Sequence, residues 1–123
     1  MDAQAYADKR LSDAIIDFLR REHAGRANAI PYRLIMEHFA YPDDGRDNHG
    51  FRKLYENRVC SSSGGIFWPV SMAEADAWKA YLSRAHGPIV ADRKYKALLA
   101  ARPDLRPVVA AVQQEFNFEG GQI

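Results

Sequence analysis

The stretch from Asp47 to Pro69 restricts the possible folds more than any other part of this chain. In Asp47–Arg58, residues Phe51, Leu54 and Tyr55 fall at i, i+3 and i+4, a spacing that predicts a short amphipathic helix with those three on its buried side. At 100° per residue, His49, Arg52, Lys53 and Glu56 then point away from that side, with Arg46 and Asn57 flanking the outer face. Gly50 inside this segment costs about 1 kcal/mol relative to Ala. It either permits close approach of another backbone or marks a later helix start. Next come two short apolar runs, Val59-Cys60 and Ile66-Phe67-Trp68, on either side of Ser61-Ser62-Ser63-Gly64-Gly65. The pair Gly64-Gly65 offers the positive φ angles of a hairpin turn, and Pro69 ends the second strand.

The chain before this stretch supplies two more helices. Leu11, Ala14, Ile15, Phe18 and Leu19 make one apolar stripe, and Arg20, Arg21 and His23 suit the negative end of the helix that carries it. Residues 2–10 are either a frayed arm or the first turns of that helix, and Gly25 terminates it. Ala27–Ile30 is too short for a helix and reads as a brief strand. Pro31 fits the first position of a second helix, whose buried side is Ile30, Leu34, Ile35, His38 and Phe39. Pro42 and Gly45 break it, and Asp44 or Asp47 caps the next helix. This connection is longer than the three or four residues of a typical helix-turn-helix turn.

After the hairpin the sequence turns helical again. Ser71-Met72-Ala73-Glu74 is a capping box that opens a helix with Ala75, Trp78, Leu82 and Ala85 on its apolar face and Tyr81 beside it. Gly87-Pro88 stops it. A fifth helix from Ile89 to Ala101 has Tyr95, Leu98 and Leu99 on its apolar side and Arg93, Lys94 and Lys96 exposed. Beyond Pro103 and Pro107 a short final helix carries Val108, Val109 and Val112, and periodicity is then lost. The apolar sides of the fourth and fifth helices exceed what so small a core needs, which predicts a homodimer.

The order helix, short strand, helix, helix, hairpin is that of a winged helix-turn-helix, so the expected class is mainly α with a small β-hairpin and a C-terminal helical extension. Expected boundaries are 1–70 for the winged-helix domain, 71–112 for the extension packed on it and 113–123 for a flexible tail. The outer face of the third helix has residue types that read or grip DNA. Arg52 and Lys53 can pair with guanine edges or phosphates, Asn57 with adenine or phosphate, and His49 can donate to either. Glu56 can accept from cytosine. Arg46 flanks the same face, Arg58 adds charge at the base of the wing, and Ser61, Ser62, Ser63 and Gly64 let the backbone approach a phosphate. The bland alternative is a solvated helix face and a generic turn.

Asn28–Trp78 resembles the winged helix-turn-helix domain of small phage and prophage proteins. The residues that carry the resemblance are Phe51-Arg52-Lys53-Leu54, the wing Val59–Pro69, and the helix from Ser71 to Arg84 with Glu74, Tyr81 and Leu82. The resemblance implies binding of double-stranded DNA in phage transcription or replication, with the later helices used for partner or self contact. In the tail, Gln113, Phe116 and Phe118 resemble the Gln-x-x-Leu-x-Phe peptides that dock on the bacterial sliding clamp, with Phe in place of Leu. The alternative is that both phenylalanines pack on the chain's own helices or on a second copy. A replication or transcription protein is therefore a second expected partner, and a protein-interaction module is the rival function.

Composition fits this picture without forcing it. The net charge of +1 over 123 residues is not that of a strongly basic protein, so any nucleic-acid case rests on local charge. Residues 46–106 hold eleven Lys and Arg against six acids, an excess of five. One cysteine, Cys60, excludes an internal disulfide and suits a reducing, cytosolic compartment. No apolar run approaches the roughly 20 residues of a membrane span, and the first residues lack a signal core. The four histidines and Cys60 show no metal-ligand spacing, and no phosphate-loop or dinucleotide fingerprint occurs, so no metal, cofactor or catalytic residue is expected. Cys60 in its strand reads as a buried small residue, and His38 as a partly buried structural one.

Overall fold

A computed structural model describes residues 3–42 and 49–105, without the side chains of Gln4 and His49. It is mainly helical with one antiparallel hairpin. Helices are α1 (Ala3–Glu22), α2 (Tyr32–His38), α3 (His49–Arg52), α4 (Met72–His86) and α5 (Pro88–Ala101). The strands are β1 (Cys60–Ser62) and β2 (Gly65–Phe67), and single 3-10 turns lie at Arg26–Asn28, Glu56–Arg58 and Pro103–Leu105. The capping candidates Asp44 and Asp47, Arg46, the expected final helix and the tail residues Gln113, Phe116 and Phe118 lie outside the described residues. Among those described, no helix is long and apolar enough to cross a membrane.

The hairpin is the middle layer. Cys60 faces Phe67 and Ser61 faces Ile66 across the strands. Alternation sends Cys60 and Phe67 to one side and Ile66 and Trp68 to the other. On the first side they join Ala75, Trp78, Leu82, Ala91, Leu98 and Leu105 in a core shared with α4 and α5. On the second side Ile66 and Trp68 border a core of Ile15, Leu19, Ile35, Met36, Phe51, Tyr55 and Val59 from α1, α2 and α3. The apolar sides of α4 and α5 therefore face each other and the hairpin. Part of the apolar surface that motivated a homodimer is thereby buried within one chain, while Tyr81, Ala85 and Ile89 stay exposed.

A third strand position completes the sheet. Ile30 exchanges both backbone hydrogen bonds with Ile66, at 2.8 and 2.7 Å, so β2 has β1 on one side and Ile30 on the other. The brief strand expected at Ala27–Ile30 is thus a one-residue bridge preceded by a 3-10 turn. Gly65 makes the approach possible. Its φ is +119°, and a Cβ there would lie 2.2 Å from the Ile30 carbonyl oxygen. The hairpin turn itself is Ser63-Gly64, and of the expected glycine pair only Gly65 has a positive φ.

Several local expectations shift. Helix α1 begins at Ala3, which resolves residues 3–10 as its first turns, and Ala14 is exposed. Pro31 precedes α2 as its cap, and the buried residues of α2 are Ile35 and Met36, while Leu34 is 46% exposed. Seven residues make two turns, so one step of rotation moves the whole buried face. The ring of His38 stacks on Phe18, with centroids 4.1 Å apart, although the residue is exposed. Helix α2 ends in a Schellman arrangement. Tyr41 N–H donates to the Met36 carbonyl and Ala40 N–H to that of Glu37. The left-handed position, usually glycine, is Ala40 with φ 51°. In α4, Ala85 is exposed.

Two side chains clamp the layers together. Ser71 Oγ caps α4 by accepting from Glu74 N–H at 3.2 Å. The Glu74 carboxylate does not return to Ser71. Its two oxygens accept from Val70 N–H at 2.9 Å and Arg26 N–H at 2.7 Å, which ties α4 to the turn after α1. The second clamp is Arg102, only 3% exposed. Nη1 donates to the Arg58 carbonyl at 3.0 Å and Nη2 to that of Pro69 at 2.8 Å. Nε and Nη2 grip Asp104 at 2.8 and 2.7 Å, and the guanidinium lies 3.6 Å from the centroid of the Trp68 ring.

Candidate nucleic-acid interface

The expected recognition helix is not one continuous helix. Helix α3 spans four residues, and the chain then tightens into three-residue turns. Leu54 N–H donates to Phe51, Tyr55 N–H to Arg52 and Arg58 N–H to Tyr55. In an α-helix the Leu54 carbonyl would accept from Arg58 N–H. Here it accepts instead from Ser12 Oγ of α1, at 2.5 Å. The Arg58 carbonyl is held by Arg102. Competition from both sides winds Glu56–Arg58 into a 3-10 turn, and that turn carries Val59 and Cys60 into the sheet. The expected inner face survives: Phe51 and Tyr55 are buried and Leu54 is half-buried.

The outer residues divide. Lys53, Asn57 and Arg58 are exposed, as are Ser63 and Gly64 at the hairpin tip. Ser61 and Ser62 are half-buried and their hydroxyls serve the fold. Ser61 Oγ accepts from Trp78 Nε1 at 3.1 Å, and Ser62 Oγ from Gly64 N–H at 3.2 Å. Arg52 does not project outward as the helical wheel predicted. It is half-buried, with its guanidinium carbon 5.9 Å from the centroid of the Tyr32 ring. It lies beside Tyr55, whose hydroxyl is pushed up to about 12 by burial, against the pull of the Arg52 charge and with the push of Glu56. The backbone of His49 opens α3.

The third helix and the extension meet at a groove that the sequence did not reveal. Helix α5 packs on the Glu56–Arg58 turn. Between that turn, β1, α4 and α5 lies a groove of about 710 Å³, whose lining includes Arg52, Tyr55, Asn57, Trp78, Tyr81, Arg93 and Lys94. A smaller hollow of about 310 Å³ adjoins it across Ser61, Trp78 and Tyr81, with Arg26 and Arg84 in its wall. The cations of α5 are thereby sorted. Lys96 pairs with Asp92 at 2.9 Å, whereas Arg93 and Lys94 line the groove. The hydrogen bond from Lys96 lowers the Asp92 carboxyl below its usual value. Arg93 and Lys94 were legible as exposed cations of a helix, but their position beside Asn57 depends on tertiary packing.

Cys60 is 1% exposed, and burial pushes its thiol up to about 12. That suits a packing role in its strand better than a reactive one. Among the described residues no cluster of His, Cys, Asp and Glu comes together that could hold a metal ion. Comparison with protein-family models, curated proteins and solved structures finds no match. The functional reading therefore rests on the residues themselves.

Proposed function

We propose that this chain is a non-enzymatic DNA-binding protein of the winged helix-turn-helix type, with a regulatory or replication-associated role inside the cell. The observation that carries the reading is the sheet order. With Ile30 and β1 on opposite sides of β2, three helices precede a hairpin in the winged-helix sequence of elements. In support of it, Lys53, Asn57 and Arg58 are exposed, and so is the hairpin tip Ser63-Gly64. In this reading Lys53 and Asn57 meet the major groove, Arg58 and the tip meet phosphates, and Arg52 acts from a half-buried position beside Tyr32. Arg46 and the side chain of His49, which lie outside the described residues, are the remaining residues expected to contact DNA.

Duplex binding measured against salt tests the proposal. Affinity for random duplex DNA is expected to fall steeply between about 50 and 200 mM salt, because phosphate contacts release counterions. The double variant Lys53→Ala/Arg58→Ala changes two exposed residues and leaves the core alone. It is expected to reduce the log–log salt slope by about one to two. Undetectable binding to any duplex at low salt would sink the DNA reading.

One observation favours a second reading, a protein-interaction module. Helix α3 is only four residues long and α5 covers the turn that follows, which leaves a short element for reading base edges. In that case a replication or transcription protein is the partner, and Gln113, Phe116 and Phe118 are the residues to test against a sliding clamp.

A further inference from the structure

We propose that the groove between the Glu56–Arg58 turn, β1, α4 and α5 binds a small anionic aromatic molecule, such as a nucleoside monophosphate or an aromatic carboxylate. Its volume of about 710 Å³ is that of a site for one small molecule. Charge selects the ligand's sign: Arg52, Arg93 and Lys94 line the groove against the one carboxylate of Glu56. The remaining wall selects a flat apolar body. Trp78 and Leu82 belong to the core beneath, and Tyr81 is 39% exposed beside them.

A further observation points independently to a ligand. Tyr55 lines this groove and is only 2% exposed, yet its buried hydroxyl has no hydrogen-bond partner in the protein. Buried polar groups in folded proteins nearly always have a partner, and an orphan beside a cationic groove is where a bound acceptor fits. The hydroxyl keeps its proton well past neutral pH and so acts as a donor. In the complex, Arg93 and Lys94 grip the anionic group, Tyr55 donates to a ligand acceptor, and the aromatic body lies along Tyr81.

The full chain, labelled with nitrogen-15 and free of DNA, is titrated separately with adenosine monophosphate, salicylate and inorganic phosphate. The indole N–H signals of Trp78 and Trp68 are followed. Trp78 Nε1 donates to Ser61 Oγ in the groove wall, so its signal reports occupancy, while Trp68 lies under Arg102 and is the control. Saturable movement of the Trp78 signal by adenosine monophosphate or salicylate, with Trp68 still, is expected. Arg93→Ala/Lys94→Ala should weaken binding about tenfold or more, by loss of charge-assisted contacts. Tyr55→Phe should weaken it about threefold or more, and Glu56→Gln should strengthen it. No movement of Trp78 with either aromatic anion up to millimolar concentration overturns the proposal. So does equal affinity in the wild type, the double variant and Tyr55→Phe, or a response to inorganic phosphate as large as to the aromatic anions. Because no DNA is present, failure here leaves the DNA reading standing, and failure of that reading leaves this one.

Discussion

Arg102 and Arg52 illustrate two ways of burying a guanidinium beside an aromatic ring. Arg102 is nearly saturated. Two backbone carbonyls, a two-point grip on Asp104 and the face of Trp68 surround it, drawn from three parts of the chain at Arg58, Trp68-Pro69 and Asp104. The surroundings of Arg52 are more open to solvent. Tyr32 is 5.9 Å away and 40% exposed, a groove opens alongside, and the neighbouring Tyr55 hydroxyl is buried without a partner. The first region joins the hairpin to the end of α5 and leaves at most one N–H of the guanidinium for anything else. The second keeps cations and an open donor on one wall. A site for stability closes its hydrogen bonds internally, and a site for binding leaves some for a partner.

The largest effect that follows is on Arg102. Arg102→Ala strands the Arg58 and Pro69 carbonyls and uncovers Trp68. Denaturant unfolding should show a loss of about 3 kcal/mol. Arg102→Lys should recover little of it, because an ammonium cannot reproduce the planar fork that reaches both carbonyls and the carboxylate. A variant that unfolds within about 0.5 kcal/mol of wild type would erase the contrast, since the two arginines would then be equally expendable.

How much of this was legible in the sequence differs between the two regions for the same physical reason. Among the described residues, periodicity located the five helices, and apolar runs around a Ser-Gly turn located the hairpin, because those signals are written locally. The buried pair Phe51 and Tyr55 followed from spacing alone. Where the helix ends did not, because Ser12, 42 residues away in sequence, takes the Leu54 carbonyl. Arg102 was invisible as a clamp. It counted only as one of the eleven Lys and Arg of residues 46–106, and its partners at Arg58, Pro69 and Trp68 are 33 to 44 residues away in sequence. The groove is a product of the same long-range packing. Lys53, Asn57 and Arg58 kept their expected exposure, whereas Arg52 did not, since the wheel that turned it outward assumed a helix continuing through residue 58.

A smaller effect separates the charge of the clamp from its geometry. The hydrogen bond from Arg102, followed by the nearness of its charge, holds the Asp104 carboxyl below the usual range. A carboxyl whose folded pKa is depressed contributes stability that is fully present above its unfolded pKa and lost as pH falls through the lowered folded value. Asp104→Asn should therefore be less stable than wild type at neutral pH, and the two should converge as the pH drops below about 4. The Asp104 side chain is 60% exposed, so solvent screening limits the difference to under about 1 kcal/mol. A difference unchanged across that range would mean that Asp104 acts on the Pro103–Leu105 turn through its shape and not through its charge.

The smallest effect is the one that most sharpens the comparison. Tyr55→Phe removes one hydroxyl from the core and nothing else. Had that hydroxyl been bonded as Arg102 is, its loss would cost about 1 kcal/mol or more. Because it is buried without a partner, its removal also removes a desolvated polar group, and the ring still packs on Phe51 at a centroid distance of 5.6 Å. The variant should be as stable as wild type or up to about 1 kcal/mol more so, read as an equal or higher midpoint at unchanged denaturant slope. A clear loss of stability would mean that the hydroxyl is satisfied in the free protein, by ordered water or by movement of Arg52. It would then be a structural group like Arg102, and the contrast between a closed site and an open one would fail at the residue where it is drawn most finely.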